Sequence, residues 1–327
     1  VSTIGKAPGR ANPTLVGDSS VVAAIRRQVA QYGPIDAPVL ITGETGTGKE
    51  LVARGLHEAS ARRRGPFVAV NCAAIPTALF ESEVFGSVKG AYTGALSSRE
   101  GLVGTARGGT LFLDEVAELP FEAQGKLLRL LEGRTYRPVG AAGERTSAAR
   151  VVAATNRIVD PARAEGALRG DLYYRLAVLH IHIAPLRERR GDIAALVAHF
   201  IGRHRQGAAP GRPTPEAIAS LMAHDWPGNV RELEHTIART LTHSGTGAIT
   251  RFDLGHAQCP AEAGGAGERL DRERIARLLA FYGGHLAPVA RELGTSVRTV
   301  QRRLKDLRLC REDFRALRAG ASQTTVL

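Results

Sequence analysis

The run Gly43-Glu44-Thr45-Gly46-Thr47-Gly48-Lys49-Glu50 constrains this chain more than any other stretch of it. It follows directly on an apolar segment of strand length, Pro38-Val39-Leu40-Ile41-Thr42, and opens onto a helical start carrying Leu51, Val52 and Leu56. Glycines let successive backbone N–H groups converge on one point, the N-terminus of the next helix adds positive dipole there, and Lys49 adds a full charge. Strand, glycine-rich loop and helix in that order form a phosphate cradle of the G-x-x-x-x-G-K type, with Gly43, Glu44, Thr45, Gly46, Thr47, Gly48, Lys49 and Glu50 as its binding residues. The general pattern has Ser or Thr after the lysine to reach a magnesium ion. Glu50 stands there instead, and its carboxylate is also a hard oxygen ligand, so Glu50 is a candidate for Mg²⁺.

Such a cradle belongs to a sheet buried on both faces, and the other apolar runs agree. Phe67-Val68-Ala69-Val70, Thr110-Leu111-Phe112-Leu113, Arg150-Val151-Val152-Ala153-Ala154 and His180-Ile181-His182-Ile183 are short and continuous, and helical patterns separate them. This predicts an α/β fold with a parallel sheet and helices on both faces, preceded by a helix that carries Val21, Val22, Ile25 and Val29. After Pro185 the pattern turns wholly helical, over about 191–206, 214–224 and 229–243. Residues 255–268 include Gly264, Gly265 and Gly267 and read as a linker. The expected organisation is a lead-in at 1–14, an α/β domain at 15–185, a helical subdomain at 186–254, the linker, a compact helical unit at 269–310 and a tail at 311–327.

The strand Thr110–Leu113 ends in Asp114-Glu115. Two carboxylates at the carboxyl end of a buried strand beside a phosphate cradle divide the work: Asp114 to hold Mg²⁺, Glu115 to polarise an attacking water. Other chemistries are poorly served. Cys72, Cys259 and Cys310 lie far apart, which argues against a disulfide scaffold or zinc site and fits a reducing cytoplasm. His180 and His182 share one strand face, more often an accident of structure than a metal site. No apolar run approaches membrane-spanning length, and residues 1–12 lack the apolar core of a signal peptide.

At this point the motifs become recognisable. Gly90-Ala91-Tyr92-Thr93-Gly94-Ala95 resembles the GAFTGA loop of sigma-54-dependent transcriptional activators, the bacterial enhancer-binding proteins of the AAA+ superfamily. The surroundings agree in order: Asn71-Cys72-Ala73-Ala74, Gly108-Gly109-Thr110-Leu111-Phe112-Leu113-Asp114-Glu115, Ala154-Thr155-Asn156, Leu172-Tyr173-Tyr174-Arg175-Leu176, Pro185-Leu186-Arg187-Glu188-Arg189 and Trp226-Pro227-Gly228-Asn229-Val230-Arg231-Glu232-Leu233. The resemblance covers about residues 15–243. It implies an AAA+ ATPase with a helical lid at 186–254, working as a homo-oligomeric ring, usually a hexamer, with ATP between subunits. It further implies Val16 and Gly17 near the adenine and Asn71 holding Glu115, so that the γ-phosphate is coupled to movement. Asn156 looks like the first sensor, Arg231 like the second, and Arg169 and Arg175 like arginine fingers inserted into a neighbour's site. These join Lys49, Asp114 and Glu115 as catalytic candidates, and Gly90, Ala91, Tyr92, Thr93, Gly94 and Ala95 become the candidate contact to sigma-54 RNA polymerase holoenzyme. Tyr92 stands where the family usually has Phe, and Ser87-Val88 where His-Glu is common; a tyrosine keeps the aromatic contact area. Arg62–Arg64 and Arg189–Arg190 have no such support and read as solvated surface.

Net charge is +12, and its placement counts. From Glu268 to Arg318 thirteen Lys/Arg face seven Asp/Glu, a net of +6. A terminal module with such an excess points to nucleic acid. Within it Ile275, Leu278 and Leu279 keep helical spacing, Gly283-Gly284 breaks it, and a second helix is expected over Leu286–Leu293. Gly294 turns the chain, Thr295 or Ser296 caps a third helix over Val297–Leu307, and Val300, Leu304 and Leu307 form its inner stripe. This resembles the Fis-type helix-turn-helix of the same family, which makes Ser296, Arg298, Thr299, Gln301, Arg302, Arg303 and Lys305 candidates for contact with double-stranded DNA.

The reading is a cytoplasmic activator that binds enhancer-like DNA, hydrolyses ATP with Mg²⁺ and uses the 86–95 loop to open sigma-54 promoters. Two alternatives stay open: an AAA+ regulator acting on another polymerase form or client, and a DNA-bound repressor that uses nucleotide only to set its assembly state. No receiver, GAF or other sensory domain precedes residue 15, so control is expected from a separate partner or from a longer chain of which this one is a part.

Overall fold

The computed structural model describes residues 15–92, 95–157, 168–204, 212–243 and 248–254, with 275, 278, 279, 282, 285–292, 300, 301 and 304 beyond them. The chain divides after Gly255 into two units, Val1–Gly255 and His256–Leu327.

In the first unit, β1 (Val39–Thr42), β2 (Phe67–Asn71), β3 (Thr110–Asp114), β6 (Arg150–Thr155) and β7 (Leu179–His182) form one sheet in the order β2-β3-β6-β1-β7, all pairs parallel. A small antiparallel hairpin, β4 (Thr135–Tyr136) with β5 (Arg145–Thr146), stands apart from it. Side chains alternate along each strand and both sets are apolar, so each face gathers its own core. Val39, Ile41, Phe112, Val152 and Ala154 pack with Ile25 of α1 (Ser20–Tyr32) and with Val52 and Leu56 of α2 (Lys49–Glu58). Leu40, Leu111, Leu113, Val151 and Ala153 pack with Phe80 and Phe85 of α3 (Thr77–Phe85), Leu127 of α5 (Phe121–Gly133) and Leu172 and Leu176 of α6 (Gly170–Leu176). A short α4 (Gly101–Thr105) lies between α3 and β3 in the chain. Because β1 sits between β6 and β7, its carboxyl end opens at the switch point of the strand order, where such sheets bind ligands.

The helical subdomain comprises α7 (Ile193–Arg203), α8 (Pro215–Ala223) and α9 (Asn229–His243) around Leu186, Phe200, Trp226, Leu233, Ile237 and Phe252. Trp226 is fully buried and its indole N–H donates to the Leu221 carbonyl at 2.8 Å. The helix expected from residue 191 starts at Ile193, after two 3-10 turns (Leu186–Glu188 and Arg190–Asp192). The Asp192 carboxylate does not cap α7. It accepts from Ser19 N at 2.8 Å and Ser19 Oγ at 2.7 Å, while Ser19 Oγ in turn accepts from Val22 N to cap α1.

In the second unit Ile275, Leu279, Leu286, Val289, Ala290, Val300 and Leu304 form a core of their own, and Leu286–Glu292 is helical. No helix among the described residues is long and apolar enough to cross a membrane.

Candidate nucleotide site and the exposed loop

The cradle lies at the carboxyl end of β1, and its backbone carbonyls from Gly43 to Thr47 are all hydrogen-bonded. Lys49 Nζ donates to Gly43 O at 3.0 Å, and Thr47 Oγ1 to Glu44 O at 2.8 Å. Asn229 Nδ2 donates to Thr45 O at 3.1 Å. The amides of Val230 and Arg231 donate to Gly46 O at 3.0 and 3.3 Å, and Arg189 Nη2 to Thr47 O at 2.9 Å. Gly46 has φ +80°, and a Cβ there would lie 2.3 Å from Gly228 O, so only glycine admits the helical subdomain this close. Gly48 caps α2 in left-handed conformation with no side chain bonding its first turn. Uncapped helix amides beside a lysine fit an anionic group such as a phosphate.

The acids gather across from the lysine. Lys49 is only 7% exposed, and its Nζ lies 3.4 Å from Glu115 Oε1. Glu115 holds φ +53°, which swings its side chain out of the strand direction, and Glu115 Oε2 accepts from Asn156 N at 3.1 Å. Asn156 Nδ2 donates to Thr45 Oγ1 at 2.9 Å, so the first-sensor candidate ties the acid to the cradle. Burial and the neighbouring Glu115 charge push the Asp114 carboxyl above its ordinary range, with Lys49 opposing them. Buried Cys72 is pushed up to about 12 by burial and by the charges of Asp114 and Glu115, which leaves it an inert thiol.

The other candidate residues have partners of their own. Asn71 pairs in register with Asp114, but its carboxamide oxygen accepts from Ala73 N at 3.0 Å and caps the following 3-10 turn. Glu115 is held by Lys49 and Asn156 instead, because the left-handed turn at Glu115 aims its carboxylate at them. Glu50 is exposed and paired with Arg54 one helical turn on, at 2.7 Å, yet near enough for its charge to act on Asp114. Val16 packs against the helical subdomain's core, and the Gly17 carbonyl accepts from Arg26 at 2.8 Å. Arg231 is exposed in the first turn of α9, its amide already on the cradle. Arg169 is half-buried and Arg175 exposed, and they pair with Asp171 (2.7 Å) and Glu132 (3.0 Å).

Sequence reasoning missed the grip of the helical subdomain on the cradle. Arg187 pairs with Glu44 through both nitrogens, at 2.6 and 2.9 Å, and holds that carboxyl below its ordinary range. Asn229 is buried at φ +53°, accepts from Leu186 N at 2.8 Å and donates to Glu44 Oε2 at 3.1 Å. Arg189, expected on the surface, is buried. Arg62 is likewise engaged, with Asp36 at 2.8 Å and the Ala148 carbonyl. An asparagine after Pro-Gly at a helix start was the available signal for Asn229; its cradle partners Glu44 and Thr45 lie more than 180 residues away and leave no local trace.

The 86–95 loop is built otherwise. Its base is a backbone ladder: Ser87 N to Arg99 O at 3.0 Å, Arg99 N to Ser87 O at 2.8 Å, Val88 N to Val139 O at 3.1 Å and Gly90 N to Ala95 O at 2.9 Å. Tyr92 is 41% exposed and Leu96 86%. Thr93 and Gly94 lie outside the described residues. Of the DNA-contact candidates Gln301 is exposed between buried Val300 and Leu304, and Ser296, Arg298, Thr299, Arg302, Arg303 and Lys305 lie outside the described residues.

A family profile described as the sigma-54 interaction domain matches residues 15–182, which contain both the cradle and the exposed loop. The chain belongs to that family. A second profile, the AAA+ ATPase lid domain, matches residues 187–266, so the helical subdomain is the lid. Family relatives include the DNA-binding transcriptional regulator NtrC of Rhizobium meliloti, 47% identical over 72% of this chain and 49% of its own length. The sigma-54-dependent transcriptional activator SfnR of Pseudomonas putida is 44% identical over 80% of this chain and 74% of its own. The chain spans about half the length of several of the curated relatives it matches, 43% in the case of the regulatory protein LuxO of Vibrio cholerae. A crystal structure of NtrX from Brucella abortus in complex with ATP superimposes with a TM-score of 0.68 at 33% identity, covering 90% of this chain and 69% of that one.

Proposed function

We propose that the chain is the ATP-hydrolysing and DNA-binding part of a cytoplasmic sigma-54-dependent transcriptional activator. It works as a homo-oligomeric ring, a hexamer by family resemblance, that remodels sigma-54 RNA polymerase holoenzyme and opens promoters. The observation that carries this is Lys49 facing Glu115 at 3.4 Å beside a cradle whose backbone carbonyls are all hydrogen-bonded. Cradle amides and Lys49 bind the phosphates, with Val16 and Gly17 toward the base. Asp114 and Glu50 are the proposed holders of Mg²⁺, which when bound neutralises charge on the phosphate oxygens. Glu115, steadied by Asn156 N, takes a proton from the attacking water. Arg231 comes from the lid, and Arg169 and Arg175 exchange their acidic partners for a neighbouring subunit's phosphates, where a guanidinium stabilises developing charge. The loop at Tyr92, exposed and outside the cradle, is the surface offered to sigma-54. Relatives named as sigma-54-dependent activators and an ATP-bound neighbour support the same reading.

The test is open-complex formation on a sigma-54 promoter by purified polymerase, with ATP and with a non-hydrolysable analogue. Opening only with ATP is expected. An ATPase that instead drives another polymerase form moves the chain to a different client, the outcome that the Ser87-Val88 departure would favour. DNA contact is assigned to the second unit, supported by its charge and by Gln301 facing outward over a buried stripe. Removing residues 269–327 should abolish specific binding and spare ATP turnover, and substituting any one phosphate-neutralising side chain should lower the salt slope by about 1. Specific binding retained by the truncated chain would falsify that assignment.

A further inference from the structure

Arg189 has no part in the mechanism above, yet it is 5% exposed where the lid connector meets the cradle. Its Nη2 donates to Thr47 O at 2.9 Å, and its Nε, also buried, has no hydrogen-bond partner. Burial pulls its pKa below the ordinary arginine value, with the Asp192 charge opposing. A buried guanidinium with an unmet donor is costly, and an apolar side chain of similar volume would fill the space at less expense. What the hydrocarbon could not do is hold the carbonyl of Thr47.

That carbonyl matters because the peptide unit is planar. Fixing Thr47 C=O on the lid side fixes the Gly48 N–H in the opposite direction. The same logic runs through the two preceding peptides. Asn229 Nδ2 holds Thr45 O and so sets Gly46 N–H, while Val230 N and Arg231 N hold Gly46 O. Three consecutive carbonyls of the cradle are thus taken by lid groups, and Arg189 is the only one of these that holds its carbonyl with a charge. We propose that Arg189 is a positioning residue for nucleotide binding: from the lid connector it locks the Thr47–Gly48 peptide plane so that the Gly48 amide faces the phosphates. The proposal rests on the nucleotide reading of the cradle and adds to it a route by which lid position sets phosphate affinity.

The test compares wild type with Arg189→Met, which keeps volume and loses the donor, and Arg189→Lys, which keeps a donor. Dissociation constants for ADP and ATP with Mg²⁺ are measured by calorimetry, beside kcat, KM and the melting temperature without nucleotide. Arg189→Met should weaken both nucleotides about tenfold, the scale of one charge-assisted hydrogen bond. Its kcat at saturating ATP should stay within about threefold, and Arg189→Lys should recover most of the affinity. A merely structural arginine would lower the melting temperature of both variants and leave the dissociation constants, read well below melting, within about twofold of wild type. That result overturns the proposal, as does a collapse of kcat at unchanged KM. Should Arg189→Met fail to fold, Arg189→Gln, too short to reach the carbonyl, repeats the comparison. A wild-type chain that binds nucleotide without turning ATP over refutes the ATPase reading and leaves this ratio readable. A wild-type chain that binds neither nucleotide overturns both.

Discussion

The cradle at 43–48 and the loop at 86–95 are both rich in glycine, and the structure holds them in opposite ways. Gly46 and Gly90 have nearly the same φ, +80° and +81°. A Cβ on Gly46 would strike Gly228 O at 2.3 Å, whereas one on Gly90 would meet nothing within 4 Å. In the first loop glycine admits a close approach by the lid, and two lid side chains, Arg189 and Asn229, bond its carbonyls. In the second it only turns the chain, and a backbone ladder holds the base while Tyr92 and Leu96 stand out in solvent. Chemistry that needs fixed geometry sits in the gripped loop, and a contact to another macromolecule can be carried by the free one. The two should therefore be separable by mutation.

The largest effects are expected inside the gripped site. If Arg169 and Arg175 are the fingers that complete a neighbour's site, Arg169→Ala or Arg175→Ala should cost about 10³–10⁵ in turnover. Glu115→Gln removes the proton acceptor and should cost about 10²–10⁴ while ATP still binds. If a finger from one subunit completes its neighbour's site, mixing a finger variant with Glu115→Gln should restore part of the activity, since some interfaces then join an intact finger to an intact pocket. Mixed rings that demonstrably form yet stay inactive would show that the arginines do not act across the interface.

The glycines sharpen the contrast next. Gly46→Ala should abolish nucleotide binding, because neither lid nor cradle backbone can yield the ångström or more needed. Gly90→Ala pays only for the left-handed conformation, about 1–2 kcal/mol, and should leave ATP turnover intact. Similar melting temperatures and similar nucleotide affinities in the two variants would erase the distinction drawn between the loops.

How much of this was legible in the sequence follows the same division. The five strands were readable because they are continuous apolar runs, and the cradle because its glycines and Lys49 are local. Helix 229–243 was readable from its period. The Lys49–Glu115 approach could be inferred from two motifs at the carboxyl ends of strands in one parallel sheet, with only β6 between them. The lid's hold on the cradle could not, since Arg189 and Asn229 reach backbone carbonyls, which every residue has, and Arg187 pairs with a Glu44 carboxylate 143 residues away in the chain. Basic residues in a row looked like solvated surface until folding buried one of them. Asn71 and Glu115 have separate partners here for a smaller reason: the left-handed turn at Glu115 carries its carboxylate to Asn156 N, while Asn71 caps its own following turn.

The exposed loop gives the last two tests, in falling order of size. Tyr92→Ala should leave ATP turnover nearly intact and end promoter opening, with a loss of about 2–4 kcal/mol if the ring is an anchor in the sigma-54 contact. Loss of hydrolysis instead would mean that the loop belongs to the catalytic core.

Tyr92→Phe asks a finer question at the same position. The two side chains share the ring and differ by one hydroxyl, and the family most often carries the phenylalanine. Tyr92 is partly exposed, so its hydroxyl can keep water in the free chain. If the contact uses the ring face, that water is released or kept at little cost, and opening should stay within a fewfold of wild type or rise. If the hydroxyl is buried against a partner group, the variant leaves that group unpaired and should lose about 1–3 kcal/mol of coupling, roughly tenfold or more in opening rate. Open-complex formation measured beside ATPase activity for wild type, Tyr92→Ala and Tyr92→Phe separates these outcomes. A Phe variant as inactive as the Ala variant, with hydrolysis unchanged in both, would place the specificity of this loop in a polar contact and count against ring area as the anchor.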